Sequence, residues 1–337
     1  MQKILIIQTA FIGDVVLATA LVEKLAIYYP AAEIDFLVRK GNESLLQNNP
    51  HLHEVLVWNK KQKKIRNLFA MLGTIRKRRY DKVINLQRFF ATGLLTAFSA
   101  SRESIGFDKN PLSFLFKTKI IHHIAKGHEV RHEIERNNDL IKSFTDSDFT
   151  RPKLYPSGKD FEFVKSYSNY SYVTMTPGSV WFTKKYPFEK WIEVIEKFPK
   201  NYTIYLLGGK ENTEECNQIK AASGNNRVEV LAGKLSFLQS TALMKNALMN
   251  YVNDSAPLHF ASAINAPVTA VFCSTVPSFG FTPLSDVSFI IETTEPLNCR
   301  PCGLHGYKAC PQKHFKCALT IEPLRLIETL SKTATPV

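Results

Sequence analysis

The chain has 337 residues, 45% of them hydrophobic, and its 43 Lys and Arg outweigh 30 Asp and Glu to give a formal net charge of +13. That length makes one large or two ordinary domains, each able to bury a core. No apolar run approaches the ~20 residues that span a bilayer, and the first strand lacks a basic leader and a cleavage site, so a cytoplasmic protein is expected. Six cysteines in such a chain argue against a disulfide framework.

In chain order, the continuous apolar run Lys3 to Ile7 reads as a buried parallel strand. Gly13-Asp14 then opens a helix that runs through Leu21 and Leu25 to Tyr29. Asp14 sits near the carboxyl end of that strand, where open α/β sheets place ligands. An acidic residue in a first helical turn is equally compatible with a plain cap or dipole partner. Further strands are expected at Glu33 to Val38, Val55 to Trp58, Lys82 to Leu86, Ser104 to Phe107 and Lys119 to His122, followed by a helix over Glu129 to Phe144.

Between Lys60 and Lys82 the chain carries Lys60, Lys61, Lys63, Lys64, Arg66, Arg76, Lys77, Arg78, Arg79 and Lys82, with Ile65, Leu68, Phe69, Leu72 and Ile75 at helical spacing. This is an amphipathic helix with basic ends, suited to an anionic membrane surface. An ordinary solvated basic face is the alternative. Nucleic acid ranks lower, because no base-reading motif or aromatic platform accompanies the charge.

The stretch Thr145 to Lys159, rich in Ser, Asp, Pro and Gly, reads as a linker, and the domains are placed at 1–155 and 156–337. A second alternating series follows. Its strands are Tyr172 to Thr176, Thr203 to Leu207, Val228 to Leu231, Leu248 to Val252 and Val268 to Phe272. Its helices are Phe188 to Phe198, Asn212 to Ser223, Ser236 to Asn246 and Leu258 to Asn265. Two such halves imply two doubly wound domains facing across a cleft. The last helix, Glu322 to Lys332, is expected to fold back onto the first half.

Neither half has a Gly-x-Gly-x-x-Gly fingerprint after its first strand, and no Walker A motif is present, which disfavours a dinucleotide dehydrogenase or a P-loop kinase. The anion-binding candidate is the loop Thr176 to Pro187. Its Pro177-Gly178-Ser179 lets the backbone approach a ligand, and Lys184 and Lys185 supply charge. A flexible basic loop is the alternative. The turn Asn253-Asp254-Ser255-Ala256-Pro257-Leu258-His259 leads from a strand into a helix, leaving free N–H groups beside a carboxylate, a hydroxyl and an imidazole. Asp254 and Ser255 also suit simple capping, with His259 packed on the strand. Near the end, Cys299, Cys302, Cys310 and Cys317 interleave with His305 and His314. The first pair has zinc-knuckle spacing, but the second pair is spaced more widely than such sites use, which favours reduced thiols over structural zinc. Cys216 and Cys273 read as small buried hydrophobes.

Phe11-Ile12-Gly13-Asp14, Pro177-Gly178-Ser179 with Lys184-Lys185-Tyr186-Pro187, Leu207-Gly208-Gly209, Leu231-Ala232-Gly233-Lys234-Leu235-Ser236 and Asn253 to His259 resemble, in order and spacing, glycosyltransferase family 9, the ADP-heptose:lipopolysaccharide heptosyltransferases. The cysteine-bearing tail also resembles one in many members. The resemblance implies a GT-B fold of two Rossmann-like domains, with a lipid A-linked acceptor on the first and the nucleotide-sugar donor, ADP-heptose, on the second. It implies an inverting reaction that needs no metal or other cofactor, carried out at the inner face of the cytoplasmic membrane. Asp14 would be the general base, with Gly13 on the acceptor side. Ser179 and Lys184 would hold the donor diphosphate, and Asp254, Ser255, the Ala256 backbone and His259 would bind diphosphate and sugar. Leu235 and an acidic residue after Gly209, Glu211 or alternatively Glu214, would border the adenosine. No nucleic acid partner is implied.

Two positions depart from the family pattern. Ala256 stands where most members have Gly, adding a methyl group and disfavouring positive φ, so donor geometry or identity is expected to differ. Ala20 stands where many members have Pro. A transferase for another nucleotide-activated sugar and a non-enzymatic polyanion-binding protein are the competing readings.

Overall fold

A computed structural model describes residues 1–123 and 130–332. The chain divides into two units, Met1–Tyr155 and Pro156–Val337. The first is built on β1 (Lys3–Ile7), whose Ile4, Leu5, Ile6 and Ile7 are fully buried. Each such side chain contributes about 1.5–3 kcal/mol over leaving it in water. A strand apolar on both faces must sit mid-sheet. β1 accordingly lies inside a six-stranded parallel sheet with β2 (Glu33–Arg39), β3 (Glu54–Trp58), β4 (Lys82–Asn85), β5 (Glu103–Phe107) and β6 (Thr118–Ile120), in the order β3-β2-β1-β4-β5-β6.

Three helices connect these strands. They are α1 (Ile12–Tyr28), α2 (Lys64–Arg78) and α3 (Phe90–Ala97), the last not anticipated from the sequence. Leu68, Met71 and Leu72 of α2 and Ala91 of α3 join the cluster around Leu5, Ile7, Trp58 and Tyr80, so both helices cover one face of the sheet. The basic ends of α2 remain outside, together with Ile65 and Phe69. The helix expected over Glu129 to Phe144 is only α4 (Glu133–Asn138); Glu129 lies outside the described residues. Beyond Asn138 the chain loosens into turns whose N–H groups bond three residues back, at Leu140 and Ile141. The side chain of Asn138 bonds the carbonyls of Asp146 and Ser147 instead of facing water, the usual way Asn competes with a helix.

The stretch read as a linker is a strap across α1. Lys153 N donates to Thr19 Oγ1 at 2.9 Å, Tyr155 Oη donates to Glu23 at 2.8 and 2.9 Å, and Lys24 Nζ meets Asp146 at 2.5 Å. Glu23 and Lys24 are buried charges, and the strap supplies the partners that burial demands. The polar composition that suggested a loose linker is what satisfies them.

The second unit starts with α5 (Gly158–Val164), capped by Ser157 and also unanticipated. Its six-stranded parallel sheet contains β7 (Tyr172–Thr176), β8 (Thr203–Leu206), β9 (Val228–Val230), β10 (Asn250–Asn253), β11 (Val268–Phe272) and β12 (Ser288–Glu292). The order is β12-β11-β10-β7-β8-β9. Counting strands within each unit, both sheets have the same topology. The helices are α6 (Phe188–Lys197), α7 (Thr213–Ser223), α8 (Phe237–Asn246), α9 (Ala256–Ala263), α10 (Lys316–Leu319) and α11 (Pro323–Ser331). Against expectation, α11 packs on α6 and β12 of its own unit, burying Leu326 and Thr329. No helix among the described residues is long and apolar enough to cross a membrane.

Candidate functional site

In the second unit β7 and β10 are neighbours, and the strand order reverses between them. Such a switch point opens a crevice at the carboxyl ends of the strands. The loop after β7 and the turn after β10 meet there. Lys184 Nζ lies 2.7 Å from Asp254 Oδ2, with the two side chains 16% and 6% exposed. Thr275 Oγ1, beyond β11, donates to the same carboxylate oxygen at 2.6 Å. A nearly buried carboxylate is thus held by a cation and a hydroxyl. Lys185 turns away to Glu215 at 3.1 Å.

Asn253 ties down the loop. Its Nδ2 donates to the Pro177 carbonyl at 2.7 Å, and its Oδ1 accepts from Tyr186 N at 2.9 Å. Gly178 sits where a Cβ would fall 2.5 Å from the Asn212 side chain, so a larger residue would have to displace that amide. Ser179 follows, half-buried. Ser255 and Ala256 stand at the start of α9, where Pro257 has no N–H and Leu258 N bonds the Ser255 carbonyl at 3.1 Å, leaving the Ala256 N–H at the helix end. Ala256 is helical and is not among the residues of positive φ, so the strain expected there is absent. His259 is 5% exposed, its ring tilted against Phe281. Glu211 is exposed in the 3-10 turn Lys210–Asn212 after Gly208-Gly209, whereas Glu214 lies on α7 and accepts from Gln218. Leu235 is half-buried just before the cap of α8.

The cysteine-bearing loop lies against the back of this crevice. Cys302 N donates to the Ser274 carbonyl at 2.8 Å, and Arg300 donates to the carbonyls of Phe272, Cys273 and Thr275 while pairing with Glu292 at 2.6 Å. Arg300 thereby holds the strand end that presents Thr275. Among the described residues no three of the loop's sulfurs and imidazoles come within 4.8 Å of one another, a closeness that tetrahedral zinc would require. Cys299 Sγ lies 3.8 Å from His314 Nε2. Burial, and then the neighbouring thiols, raise the pKa of Cys302 and push that of Cys317 up to about 12, favouring protonated forms. Cys216 and Cys273 are fully buried. A separate grouping of Asp35, His53 and Glu54 is already occupied by Arg78, which reaches Asp35 at 2.8 Å and Glu54 at 2.5 Å.

In the first unit the equivalent crevice lies between β1 and β4. Thr9 Oγ1 donates to Gln87 Oε1 at 2.6 Å, and Gln87 Nε2 donates to Gln8 Oε1 at 2.6 Å. These bonds brace the turn that presents Gly13 and Asp14. Asp14 is half-buried, its Oδ2 accepting from Phe11 N at 3.1 Å, so it serves as a cap. Glu133 on α4 has a raised pKa from burial, opposed by Arg136 and reinforced by the nearby Asp14 carboxylate. Lys60 Nζ donates to Thr9 O at 3.1 Å and Oγ1 at 2.5 Å and lies 4.8 Å from the Trp58 ring centre. Burial, with Arg39 and Lys64 nearby, pulls its pKa down to about 8.

Sequence reasoning missed Thr275, Arg300 and Glu133. Thr275 carried a signal, since Cys273-Ser274-Thr275 is a small polar run at the end of an apolar strand. Arg300 and Glu133 had none, because the carbonyls that Arg300 holds are distant in the chain and the Asp14 carboxylate beside Glu133 lies on another element.

The profile of glycosyltransferase family 9 (heptosyltransferase) matches residues 68–306. Lipopolysaccharide heptosyltransferase 3 of Escherichia coli is 27% identical over 283 residues, covering 79% of this chain and 82% of the relative. Lipopolysaccharide heptosyltransferase 2 of Escherichia coli K12 is 24% identical over 348 residues, covering 98% of each. The solved structure of E. coli ADP-heptose lps heptosyltransferase II superposes with a TM-score of 0.81 at 22% identity, covering 98% of both chains. The fold is thus that of the GT-B heptosyltransferases. With its profile matched over most of its length, the chain belongs to glycosyltransferase family 9 and is a glycosyltransferase.

Proposed function

We propose that this enzyme transfers heptose from ADP-heptose to a lipid A-linked inner-core acceptor, with inversion and without a metal ion. The observation that carries the reading is the contact of Lys184 with Asp254 at the switch point of the second sheet, beside the start of α9. The names of the similar heptosyltransferases support the sugar and the acceptor class. The acceptor hydroxyl oxygen attacks the anomeric carbon while its proton passes to Asp14, and the bond from that carbon to the diphosphate oxygen breaks to release ADP. Lys184 and the Ala256 N–H at the start of α9 offset the charge that the diphosphate gains, the duty a metal ion has elsewhere. Ser179, Ser255 and His259 orient diphosphate and sugar, while Glu211 and Leu235 border the adenosine.

The test is ADP release on mixing the enzyme with ADP-heptose and lipid A-core acceptors, repeated in excess EDTA. Release from both mixtures is expected. Turnover of another sugar nucleotide in place of ADP-heptose would change the donor. Immediate loss in EDTA, restored by Mg²⁺, would overturn metal independence, and no turnover at all would leave an anion-binding protein.

The same reading brings the enzyme to the inner face of the membrane through α2, each engaged basic side chain contributing roughly 1 kcal/mol at an anionic surface. Arg78 is committed to Asp35 and Glu54, leaving Arg76, Lys77 and Arg79 for the lipid. Changing these three to Glu is expected to abolish sedimentation with anionic vesicles at low salt while sparing a short soluble acceptor. Unchanged sedimentation would make the segment an ordinary solvated face.

A further inference from the structure

Lys184 is the last residue of the 3-10 turn Phe182–Lys184, and the residue before it is buried deep beneath the crevice. Thr183 is 1% exposed and, among the described residues, its hydrogen bonds run to Ser274 and Tyr307, far along the chain. Its Oγ1 accepts from Tyr307 N at 2.7 Å and from Ser274 Oγ at 3.0 Å, and its N donates to the Tyr307 carbonyl at 3.1 Å. Tyr307 thus binds Thr183 through both of its backbone polar groups, one to the hydroxyl and one to the backbone N–H. Gly306 makes this approach possible. Its φ is +77, and a Cβ there would fall 2.8 Å from Thr183 Oγ1 and 3.1 Å from Lys184 Cγ. The same loop holds Ser274 from behind through Cys302 N, so Ser274 and Tyr307 form one rigid support. Outside it, the Phe182 ring lies 5.1 Å from Phe315, pinning the other flank of the turn.

We propose that Thr183 is a positioning residue for transfer: clamped by Gly306-Tyr307 and Ser274, it fixes the backbone from which Lys184 reaches Asp254 and the donor diphosphate. Thr183 touches no substrate. This rests on Lys184 being the diphosphate ligand. The cysteine-bearing loop is on this account part of the donor site, acting through its backbone. Small displacements matter there, because a misplacement of about 1 Å in a group facing developing charge costs up to ~10²-fold in rate.

The test is a double-mutant cycle with kinetics on the sugar nucleotide, ADP binding and thermal melting. Thr183→Val keeps the shape and removes the acceptor of two hydrogen bonds, whereas Thr183→Ser keeps the oxygen. Thr183→Val is expected to raise KM for the donor and lower kcat, together by roughly tenfold or more, in line with two lost hydrogen bonds. Thr183→Ser should restore both parameters to within about twofold. In a Lys184→Ala background Thr183→Val should add little, since the side chain it positions is gone. Ser274→Ala, which removes one of the two donors, carries the same comparison with a smaller loss should Thr183→Val fail to fold. Wild-type kcat and KM in folded Thr183→Val or Ser274→Ala, alongside an impaired Lys184→Ala, would overturn the proposal, as would losses that simply add. An unimpaired Lys184→Ala would instead remove the reading of Lys184 on which the proposal stands.

Discussion

The two sheets share one topology, yet their switch points are closed by opposite chemistry. Between β1 and β4 the closing bonds run among neutral groups, a threonine hydroxyl and two glutamine side chains, with the Lys60 ammonium donating to Thr9 from outside them. Between β7 and β10 the closure is ionic, with Lys184 on Asp254. Bonds among neutral groups are directional. They suit the turn proposed to present one carboxylate, Asp14. An ionic closure holds a cation that an incoming diphosphate can share. Fold alone therefore does not assign the roles of the two crevices; the side chains at the strand ends do.

The sharpest way to break this comparison is Asp14→Asn, which keeps the cap geometry but cannot accept a proton. Turnover is expected to fall by on the order of 10²-fold or more with ADP binding unchanged, as for the loss of a general base. Near-wild-type turnover would make the first crevice a mere scaffold.

Lys184→Ala probes the ionic side and should cost roughly tenfold in donor binding and more in kcat/KM, because the diphosphate gains charge on leaving. Lys185→Ala, which breaks only a half-exposed pair with Glu215, should be close to wild type in the same assay. Reversed ranks would move the donor contact one residue along the loop.

Gln87→Leu tests the neutral closure. It leaves Thr9 and Gln8 without their buried partner, so a loss of about 1–3 kcal/mol in unfolding free energy is expected, measured by denaturant titration. Turnover should fall with it while ADP affinity does not, since Gln87 and the donor residues lie in different units. A fall in ADP affinity would contradict the division of labour.

The smallest effect concerns Lys60. The folded protein releases this proton near pH 8 and the unfolded chain near 10.5, so between those values the unfolded state binds more protons and stability rises with pH. The difference in melting temperature between wild type and Lys60→Met should shift in favour of wild type from pH 7 to pH 9.5. A constant difference would mean that Lys60 stays charged beside Thr9.

Most strands were legible because parallel strands such as Ile4 to Ile7 and Val268 to Phe272 are apolar on both faces. Short helices were not. The eight residues of α3, Phe-Ala-Thr-Gly-Leu-Leu-Thr-Ala, hold two Thr and a Gly that spoil any periodic signal, and packing on the Leu5 cluster decides the matter. At the site, Lys184 and Asp254 were legible as strand-end residues, but their mutual contact was not. Thr275 and Arg300 belong to the same network; Thr275 left only the cue of a small polar run after its strand and Arg300 none, since their value lies in what the fold sets beside them.

The strap from Asp146 to Tyr155 has a practical consequence for dissecting the protein. Composition marks Thr145 to Lys159 as a linker, with the domain boundary placed late in it, at 155 and 156; a cut at its start, near Thr145, would discard part of the first unit. A fragment ending there would strip Lys24 of Asp146 and Glu23 of Tyr155, and bare the Thr19 hydroxyl and Ala20 carbonyl along α1. Any fragment meant to isolate the first unit has to run through Tyr155, and one meant to isolate the second begins with Pro156, just ahead of the Ser157 cap.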